Sequence, residues 1–210
     1  MIQIKDLNLI IKNKKILENI NVSFKQGQIH GLIGRNGSGK TMLMKCICGF
    51  VKPSSGKVIV NNQIIGKDCD FPKNVGIIIE TPNFIPYYSG FKNLKLLADL
   101  NNKISNEDIK KSMERVGLNP NLKLHIRKYS LGMRQRLGLA QAIMENPDIL
   151  ILDEPTNALD KDGVADIRTY LKELKEEGKT IVIASHSTED IDTLCDTVHE
   201  MDKGIISFIR

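Results

Sequence analysis

The sequence predicts an α/β domain with a mainly parallel core sheet, an antiparallel β edge and a helical subdomain. Short apolar runs, typical of strands buried on both faces, alternate with segments of helical spacing. These runs cover residues 28–33, 75–80, 149–152 and 180–184. A glycine-rich turn joins the first run to a helix, and ligands bind at such carboxyl ends of parallel strands. At 210 residues, the chain has the length of one domain.

The predicted antiparallel edge comes from the first sixty residues. Residues 2–9 and 16–24 alternate between apolar and polar side chains, as strands with one exposed face do. The glycine-rich turn leads into a helix over 41–48, which Gly49 ends. A turn at 53–56 and a strand at 57–61 follow.

The middle third of the chain has a different pattern. Residues 81–90 carry two prolines and predict irregular structure, whereas 91–100, 107–116 and 131–144 have helical spacing. An amphipathic helix over 164–177 and a strand pair over 198–209 complete the chain. We therefore expect one domain over 1–210, with a core lobe of 1–80 and 147–210 and a helical lobe of 81–146.

Charge and cysteine content exclude some classes of function. The formal net charge is +5, but no dense basic block with interleaved aromatic residues occurs. We expect a solvated lysine-rich surface and no nucleic-acid partner. No apolar run approaches the roughly 20 residues of a membrane span, and no signal peptide is visible, so a cytoplasmic location is expected. Four cysteines without metal-ligand spacing are predicted to be reduced packing residues: Cys46, Cys48, Cys69 and Cys195.

The glycine-rich turn reads GRNGSGKT over 34–41 and fits the P-loop, or Walker A, pattern. Its glycines allow backbone N–H groups to approach phosphate oxygens, and Lys40 would place a positive charge between the β- and γ-phosphates. Thr41 is the expected Mg²⁺ ligand. A chance match is disfavoured by the strand before the motif and the helix after it. The predicted nucleotide-binding residues are Gly34, Arg35, Asn36, Gly37, Ser38, Gly39, Lys40, Thr41 and Met42.

Two further motifs have weaker patterns. Asp153 and Glu154 end an apolar strand, which is a Walker B pattern when it lies downstream of a P-loop. Asp153 would hold Mg²⁺ and Glu154 would act as general base. Residues 129–136 read YSLGMRQR, where Ser130 is a candidate N-cap. From the residues alone, this segment is either an ordinary capped helix or a second anion-binding surface.

Taken together, five motifs resemble the nucleotide-binding domain of ABC transporters. Walker A is followed by YSLGM (129–133) in place of the LSGGQ signature, ILILDEP (149–155) as Walker B, NALD (157–160) as the D-loop and ASHS with the switch histidine His186. The resemblance covers nearly the whole chain. It implies a P-loop NTPase fold, with a RecA-like core and a helical subdomain.

The resemblance also implies how the chain would work. Two such ATPase domains would meet head to tail, as a homodimer or a heterodimer, around two ATP molecules with Mg²⁺. The implied catalytic residues are Lys40, Glu154 and His186. Asp160 of the D-loop would lie at the dimer seam. The signature residues that would act in trans on the ATP of the opposite copy are Ser130, Gly132 and Met133.

Some positions depart from the family pattern. Glu80 stands where most members have the Q-loop glutamine, and we expect it to remain a metal ligand. Glutamate here and the SLGM signature resemble the bacitracin-resistance and lantibiotic-immunity exporters and the related drug, or ABC-2-type, exporters. Ile11 falls near the position of the aromatic residue that stacks on adenine, so weak stacking is expected.

The implied partners are integral membrane permease subunits in separate chains. The ATPase would therefore lie peripherally on the inner face of the cell membrane and power export of a peptide antibiotic, lantibiotic or drug. Residues 81–106 would contact the permease, unless Phe84, Ile85, Tyr87 and Tyr88 simply pack on the helical lobe. The alternatives are a soluble ABC ATPase in cofactor assembly and an inactive nucleotide-binding subunit.

Overall fold

The computed structural model describes residues 1–210, which form ten strands, six α-helices and a 3₁₀ turn at Ile126–Lys128. The strands are β1 (Ile2–Ile11), β2 (Lys14–Phe24), β3 (Ile29–Ile33), β4 (Ser55–Val60), β5 (Gln63–Ile64), β6 (Val75–Ile78), β7 (Ile149–Asp153), β8 (Thr180–Ala184), β9 (Thr197–Asp202) and β10 (Ile205–Phe208). The helices are α1 (Lys40–Ile47), α2 (Gly90–Asn101), α3 (Asn106–Arg115), α4 (Leu131–Ile143), α5 (Lys161–Glu176) and α6 (Thr188–Leu194).

A six-stranded sheet forms the centre of the fold, in the order β10-β9-β3-β8-β7-β6. Five of its strands are parallel, and β10 pairs antiparallel with β9 at one edge. Ala184 of β8 lies opposite both Leu32 of β3 and Asp153 of β7. Three strands therefore end side by side, and the P-loop, Glu154 and His186 all follow these ends.

The predicted antiparallel edge is a separate sheet of four strands, in the order β2-β1-β4-β5. Every pairing in this sheet is antiparallel, and the β1–β2 register shifts at three places. Its inner face packs on the helix that follows the P-loop. The prediction of a mainly parallel core with antiparallel β structure beside it is confirmed.

The central sheet separates two hydrophobic cores because neighbouring residues of a strand point to opposite faces. On β7, Ile149 and Ile151 belong to a cluster that includes β1, β2 and α1, whereas Leu150 and Leu152 belong to a cluster that includes the helices α2–α5. All four side chains are at most 2% exposed. Strand β7 thus holds the end of the Walker B motif between two close-packed layers.

Helices α2, α3 and α4 follow one another and pack together, and α4 also packs on β6. A serine caps the N-terminus of each of these helices: Ser89, Ser105 and Ser130. At Gly76 of β6, an added Cβ would lie 2.0 Å from the carbonyl oxygen of Ala142. Only glycine permits this close approach of α4 to the sheet.

Two local predictions were wrong, and one helix was missed. The strand predicted over 75–80 ends at Ile78, because Glu80 has a φ of 61° and leaves the extended conformation. The turn predicted at 53–56 overlaps β4, which begins at Ser55 and accommodates Gly56 at a φ of 79°. Helix α6 was not predicted, since it is short and only two of its seven residues are apolar and buried, Ile191 and Leu194.

Candidate active site

The P-loop connects β3 to α1 in a conformation that requires glycine. Gly39 has a φ of 114°, and a Cβ at this position would lie 2.8 Å from Leu17 Cδ2. Helix α1 has no side-chain N-cap, so its first amide groups remain available to an anion. The Lys40 ammonium group donates hydrogen bonds to the carbonyl oxygens of Gly34, at 2.6 Å, and Arg35, at 3.2 Å. This lysine is only 6% exposed.

A cleft of about 600 Å³ opens over the P-loop. Most of the predicted site residues line it: Asn36, Gly37, Ser38, Gly39, Lys40, Thr41, Met42, Glu80, Asp153, Glu154 and His186. The remaining predicted residues lie outside this lining: Gly34, Arg35, Ser130, Gly132, Met133 and Asp160. Residues separated by up to 150 positions in the chain thus meet around one cleft.

Thr41 and Asp153 contact each other across the floor of the cleft. The Thr41 hydroxyl donates a hydrogen bond to Asp153 Oδ2 at 2.9 Å. Hydroxyl and carboxylate oxygens are the ligands that Mg²⁺ prefers, usually completed by phosphate oxygens and water. The donor set therefore fits Mg²⁺.

Burial lowers the pKa of Lys40, and the nearby charges of Glu154 and Asp153 oppose that shift.

Glu154 occupies a strained position directly after β7. Its φ is 50°, and its amide donates to the carbonyl oxygen of Ala184 at 2.9 Å. The side chain is 28% exposed, yet Oε1 is buried and lacks a hydrogen-bond partner. Desolvation by burial raises the pKa of the Glu154 carboxyl above its usual value. These are properties of a carboxylate suited to accept a proton.

His186 joins Glu154 to the P-loop. Its backbone amide donates to Glu154 Oε2 at 3.3 Å, and its Nε2 lies 3.4 Å from Glu154 Oε1. The same Nε2 atom is 2.8 Å from Asn36 Oδ1. The imidazole therefore contacts both the carboxylate and the phosphate-binding loop.

Glu80 lies at the rim of the cleft, at the start of the loop that follows β6. Its carboxylate forms an ion pair of 2.6 Å with Lys45 of α1, and its side chain is 64% exposed. This pair joins the helix after the P-loop to the loop that leads into α2.

The signature segment and the D-loop lie against each other. Ser130 is exposed, and its hydroxyl accepts a hydrogen bond from the amide of Met133 at 3.1 Å. A Cβ at Gly132 would lie 2.7 Å from the carbonyl oxygen of Ala158, so this glycine allows the close contact. Asp160 accepts a hydrogen bond from Arg136 of α4 at 3.1 Å.

Sequence reasoning missed one face of α4 that lines the cleft, formed by Leu131, Arg134 and Gln135. The Gln135 amide donates to the carbonyl oxygens of Glu154, at 3.0 Å, and Pro155, at 3.2 Å. The spacing i, i+3, i+4 places these residues on one side of a helix, and this spacing could have revealed the face.

The residue expected near the base of the nucleotide also differs. Ile11 is 40% exposed and does not line the cleft, whereas Ile16 of β2 does. Ile11 is the last residue of β1, where it pairs with Lys14, whereas Ile16 lies on the partner strand after the turn. None of the helices combines the length and apolar character needed to cross a membrane.

Comparison with known proteins decides the family. The family model described as ABC transporter matches residues 17–157. The chain belongs to the ABC transporter family. An uncharacterised ABC transporter ATP-binding protein of Bacillus subtilis is 47% identical over 204 residues, which are 97% of this chain and 94% of that protein.

Two further relatives have names that state what they transport. The bacitracin transport ATP-binding protein of Enterococcus faecalis is 40% identical over 90% of this chain and 62% of its own length. The lantibiotic transport ATP-binding protein of Streptococcus pyogenes is 35% identical over 98% of this chain and 89% of its own length. The names of these two relatives match the subgroup that Glu80 and the SLGM signature resemble.

The fold matches that of solved ABC cassettes. A dimeric ATP-binding cassette in a post-hydrolysis state, bound to ADP and phosphate, superimposes with a TM-score of 0.89 at 23% identity and covers all of this chain and 99% of that one. The P-loop NTPase fold is therefore confirmed. This ABC transporter ATP-binding subunit is an ATPase that binds ATP together with Mg²⁺.

Proposed function

We propose that this ATPase powers export of a peptide antibiotic through separate integral membrane permease subunits, from the inner face of the cell membrane. The observation that carries the proposal is the identity of 35–40% to bacitracin and lantibiotic transport ATP-binding proteins over at least 90% of the chain. Glu80 supports the same assignment, because glutamate at the Q-loop position resembles that subgroup.

In the proposed reaction, Lys40 and the P-loop amides hold the β- and γ-phosphates of ATP, and Glu154 accepts a proton from the attacking water. The water oxygen bonds to the γ-phosphorus while the bond between that phosphorus and the β–γ bridging oxygen breaks, which releases ADP. The buried Glu154 Oε1 has no hydrogen-bond donor of its own and can accept one from water. His186 contacts the γ-phosphate and the same water.

The proposed Mg²⁺ ligands are Thr41, Asp153 and Glu80. When bound, the ion neutralises charge on the β- and γ-phosphate oxygens. Thr41 and Asp153 are already in contact. Glu80 would have to leave its ion pair with Lys45 to serve as a ligand. Of the three proposed ligands, it is therefore the one whose side chain must change its contacts before it can bind the ion.

The working unit of the proposal is a head-to-tail dimer of two ATPase domains. Ser130, Gly132 and Met133 of each copy would cap the ATP of the other, and Asp160 would lie at the seam. A residue that serves a second chain must be accessible on its own, and Ser130 and Asp160 are exposed. All four residues lie outside the lining of their own cleft.

The permease would dock between the proposed core lobe (1–80 and 147–210) and helical lobe (81–146). A groove of about 1060 Å³ lies there, and its apolar lining residues include Phe50, Phe71, Leu97 and Leu100. In the adjoining loop, Tyr87 is 64% exposed and Ile85 45% exposed, whereas Phe84 packs on the core. The exposed pair supports contact with a partner rather than local packing.

A pull-down tests the proposal. Tagged Glu154→Gln protein is recovered from detergent-solubilised native membranes with ATP and Mg²⁺, and a Lys40→Ala variant serves as the control that does not retain ATP. We expect a polytopic membrane protein with the Glu154→Gln variant and less of it with the control. Recovery of soluble proteins alone would contradict the proposal and favour a cofactor-assembly ATPase.

The cargo is tested on a complex of the unaltered ATPase with the membrane protein that the pull-down identifies, after reconstitution in lipid vesicles. ATP hydrolysis is measured with bacitracin, with a lantibiotic and with a non-peptide drug. Stimulation by either peptide, absent from a complex that carries Glu154→Gln, supports a peptide exporter. Stimulation by the drug alone would contradict it.

A further inference from the structure

A buried carboxylate outside the cleft joins three elements of the fold. Asp190 of α6 is 1% exposed. Its Oδ2 accepts hydrogen bonds from the hydroxyl groups of Thr156, at 2.6 Å, and Ser185, at 3.2 Å. Its Oδ1 accepts one from Arg168 Nε of α5 at 2.6 Å. Every donor to this carboxylate comes from a different segment of the chain.

Two of these donors flank the proposed catalytic residues. Thr156 lies two positions after Glu154, and Ser185 immediately precedes His186. The Ser185 hydroxyl also accepts a hydrogen bond from the amide of Ser187 at 3.1 Å, so it shapes the backbone around His186. The turn after β7 and the turn after β8 therefore meet at Asp190.

The two turns must keep a fixed distance for the chemistry. The His186 amide holds Glu154 Oε2 at 3.3 Å, and the His186 imidazole lies 3.4 Å from Glu154 Oε1. A slip of either turn would change both contacts at once. Misplacement of a reacting group by about 1 Å can reduce a rate about 100-fold.

We propose that Asp190 is a positioning residue for ATP hydrolysis. Its hydrogen bonds to Thr156 and Ser185 hold the turn after β7, which carries Glu154 (the Glu154 turn), in a fixed position relative to the turn after β8, which carries His186 (the His186 turn). This inference rests on the proposed roles of Glu154 and His186. One oxygen of Asp190 accepts hydrogen bonds from both hydroxyl groups, and the other accepts a hydrogen bond from the guanidinium of Arg168.

The alternative is that Asp190 and Arg168 form a buried ion pair that only stabilises the fold. The chain offers variants that separate the two cases. Thr156→Val removes the hydroxyl beside Glu154 but leaves the Asp190–Arg168 pair intact, and Thr156→Ser restores the hydroxyl. Thr169→Val is the matched control, because the Thr169 hydroxyl bonds only the carbonyl of Ala165 on the exposed side of α5.

A second matched pair tests the charge. Glu189 and Asp190 are neighbours that both bind Arg168, yet the Glu189 side chain is 76% exposed and Asp190 is buried. Each of the two variants therefore removes one negative charge that pairs with the Arg168 guanidinium. Glu189→Gln removes it at the surface, and Asp190→Asn removes it in the interior.

The experiment measures kcat and KM for ATP with Mg²⁺, together with the thermal midpoint, on the full chain. For Thr156→Val we expect kcat to fall about tenfold with KM within about twofold of the original, and Thr156→Ser to restore kcat. Asp190→Asn should lower kcat at least as much. Thr169→Val and Glu189→Gln should keep kcat within about twofold. If Asp190→Asn fails to fold, the threonine series decides.

A kcat of Thr156→Val equal to that of the unaltered chain would overturn the inference. A loss of kcat in Thr156→Val that Thr156→Ser does not restore would overturn it as well. Glu154→Gln in the same assay separates this failure from failure of the proposed function. If Glu154→Gln abolishes turnover while Thr156→Val does not reduce it, only the role of Asp190 is wrong. If Glu154→Gln keeps its turnover, the proposed general base is wrong and the inference falls with it.

Discussion

Replacing Glu154 with glutamine should stabilise the folded chain while it abolishes hydrolysis. The carboxylate is partly buried, and its Oε1 has no hydrogen-bond partner. An unsatisfied buried polar group costs about 1–3 kcal/mol, and an ionised one costs more. Glutamine keeps an acceptor for the His186 amide but removes the charge. With 28% of the side chain exposed, we expect the lower end of that range, a gain of about 1 kcal/mol in the free energy of unfolding.

The gain should depend on pH in a defined direction. Burial raises the pKa of Glu154 in the folded state, so the folded chain binds this proton more tightly than the unfolded chain does. The carboxyl is neutral below both pKa values, and its charge lowers stability as the pH rises through the folded pKa. Glutamine resembles the protonated acid. Its advantage should therefore be full near pH 8 and absent at pH 4 or below.

The assay is thermal unfolding without ATP or Mg²⁺ at pH 8 and pH 4. A gain of about 1 kcal/mol corresponds to an increase of about 2–4 °C in Tm for a chain of this size. Glu80→Gln is the control, since Glu80 is exposed and ion-paired; it should not raise Tm. An equal or lower Tm for Glu154→Gln at pH 8, or the same increase at both pH values, would refute the reasoning.

Three other changes have expected outcomes. Gly76→Ala should lower the free energy of unfolding by about 3 kcal/mol in urea titration, because its Cβ would meet the Ala142 carbonyl oxygen; an unchanged midpoint would contradict this packing. Thr41→Val should raise the Mg²⁺ concentration for half-maximal ATP hydrolysis about tenfold, whereas Thr41→Ser should not. Gln135→Leu should lower kcat more than it changes KM, since the Glu154 turn loses two hydrogen bonds; a change confined to KM would count against a role in positioning that turn.

Much of the fold follows from local sequence patterns. The apolar runs predict the parallel strands because a strand buried on both faces must be apolar throughout, as Leu150 and Ile151 illustrate. The P-loop predicts its own geometry, since only glycine adopts the backbone conformation of Gly39 without strain. Most of the cleft lining could therefore be predicted from the motifs.

The remaining features depend on contacts between distant segments. The choice between Ile11 and Ile16 depends on how the β1–β2 hairpin lies against the P-loop, which neither strand encodes alone. Asp190 matches no catalytic motif, and only its position in the fold brings it to Thr156. The sequence did contain a local signal for α6, because Ser187 and Asp190 have the S-x-x-D spacing of a capping box. In the structure, the Ser187 hydroxyl accepts a hydrogen bond from the backbone amide of Asp190.

The hydrogen bonds made by α4 have a mechanical consequence. Gln135 fixes the helix to the Glu154 turn, and the next residue, Arg136, fixes it to Asp160. A rotation of the proposed helical lobe (81–146) against the proposed core lobe that preserves these bonds must use them as its pivot. The loop that carries Ile85 and Tyr87 is hydrogen-bonded to the turn before α4, so these exposed side chains would move together with the helix. An angular change near the nucleotide would then displace the surface that we assign to the permease.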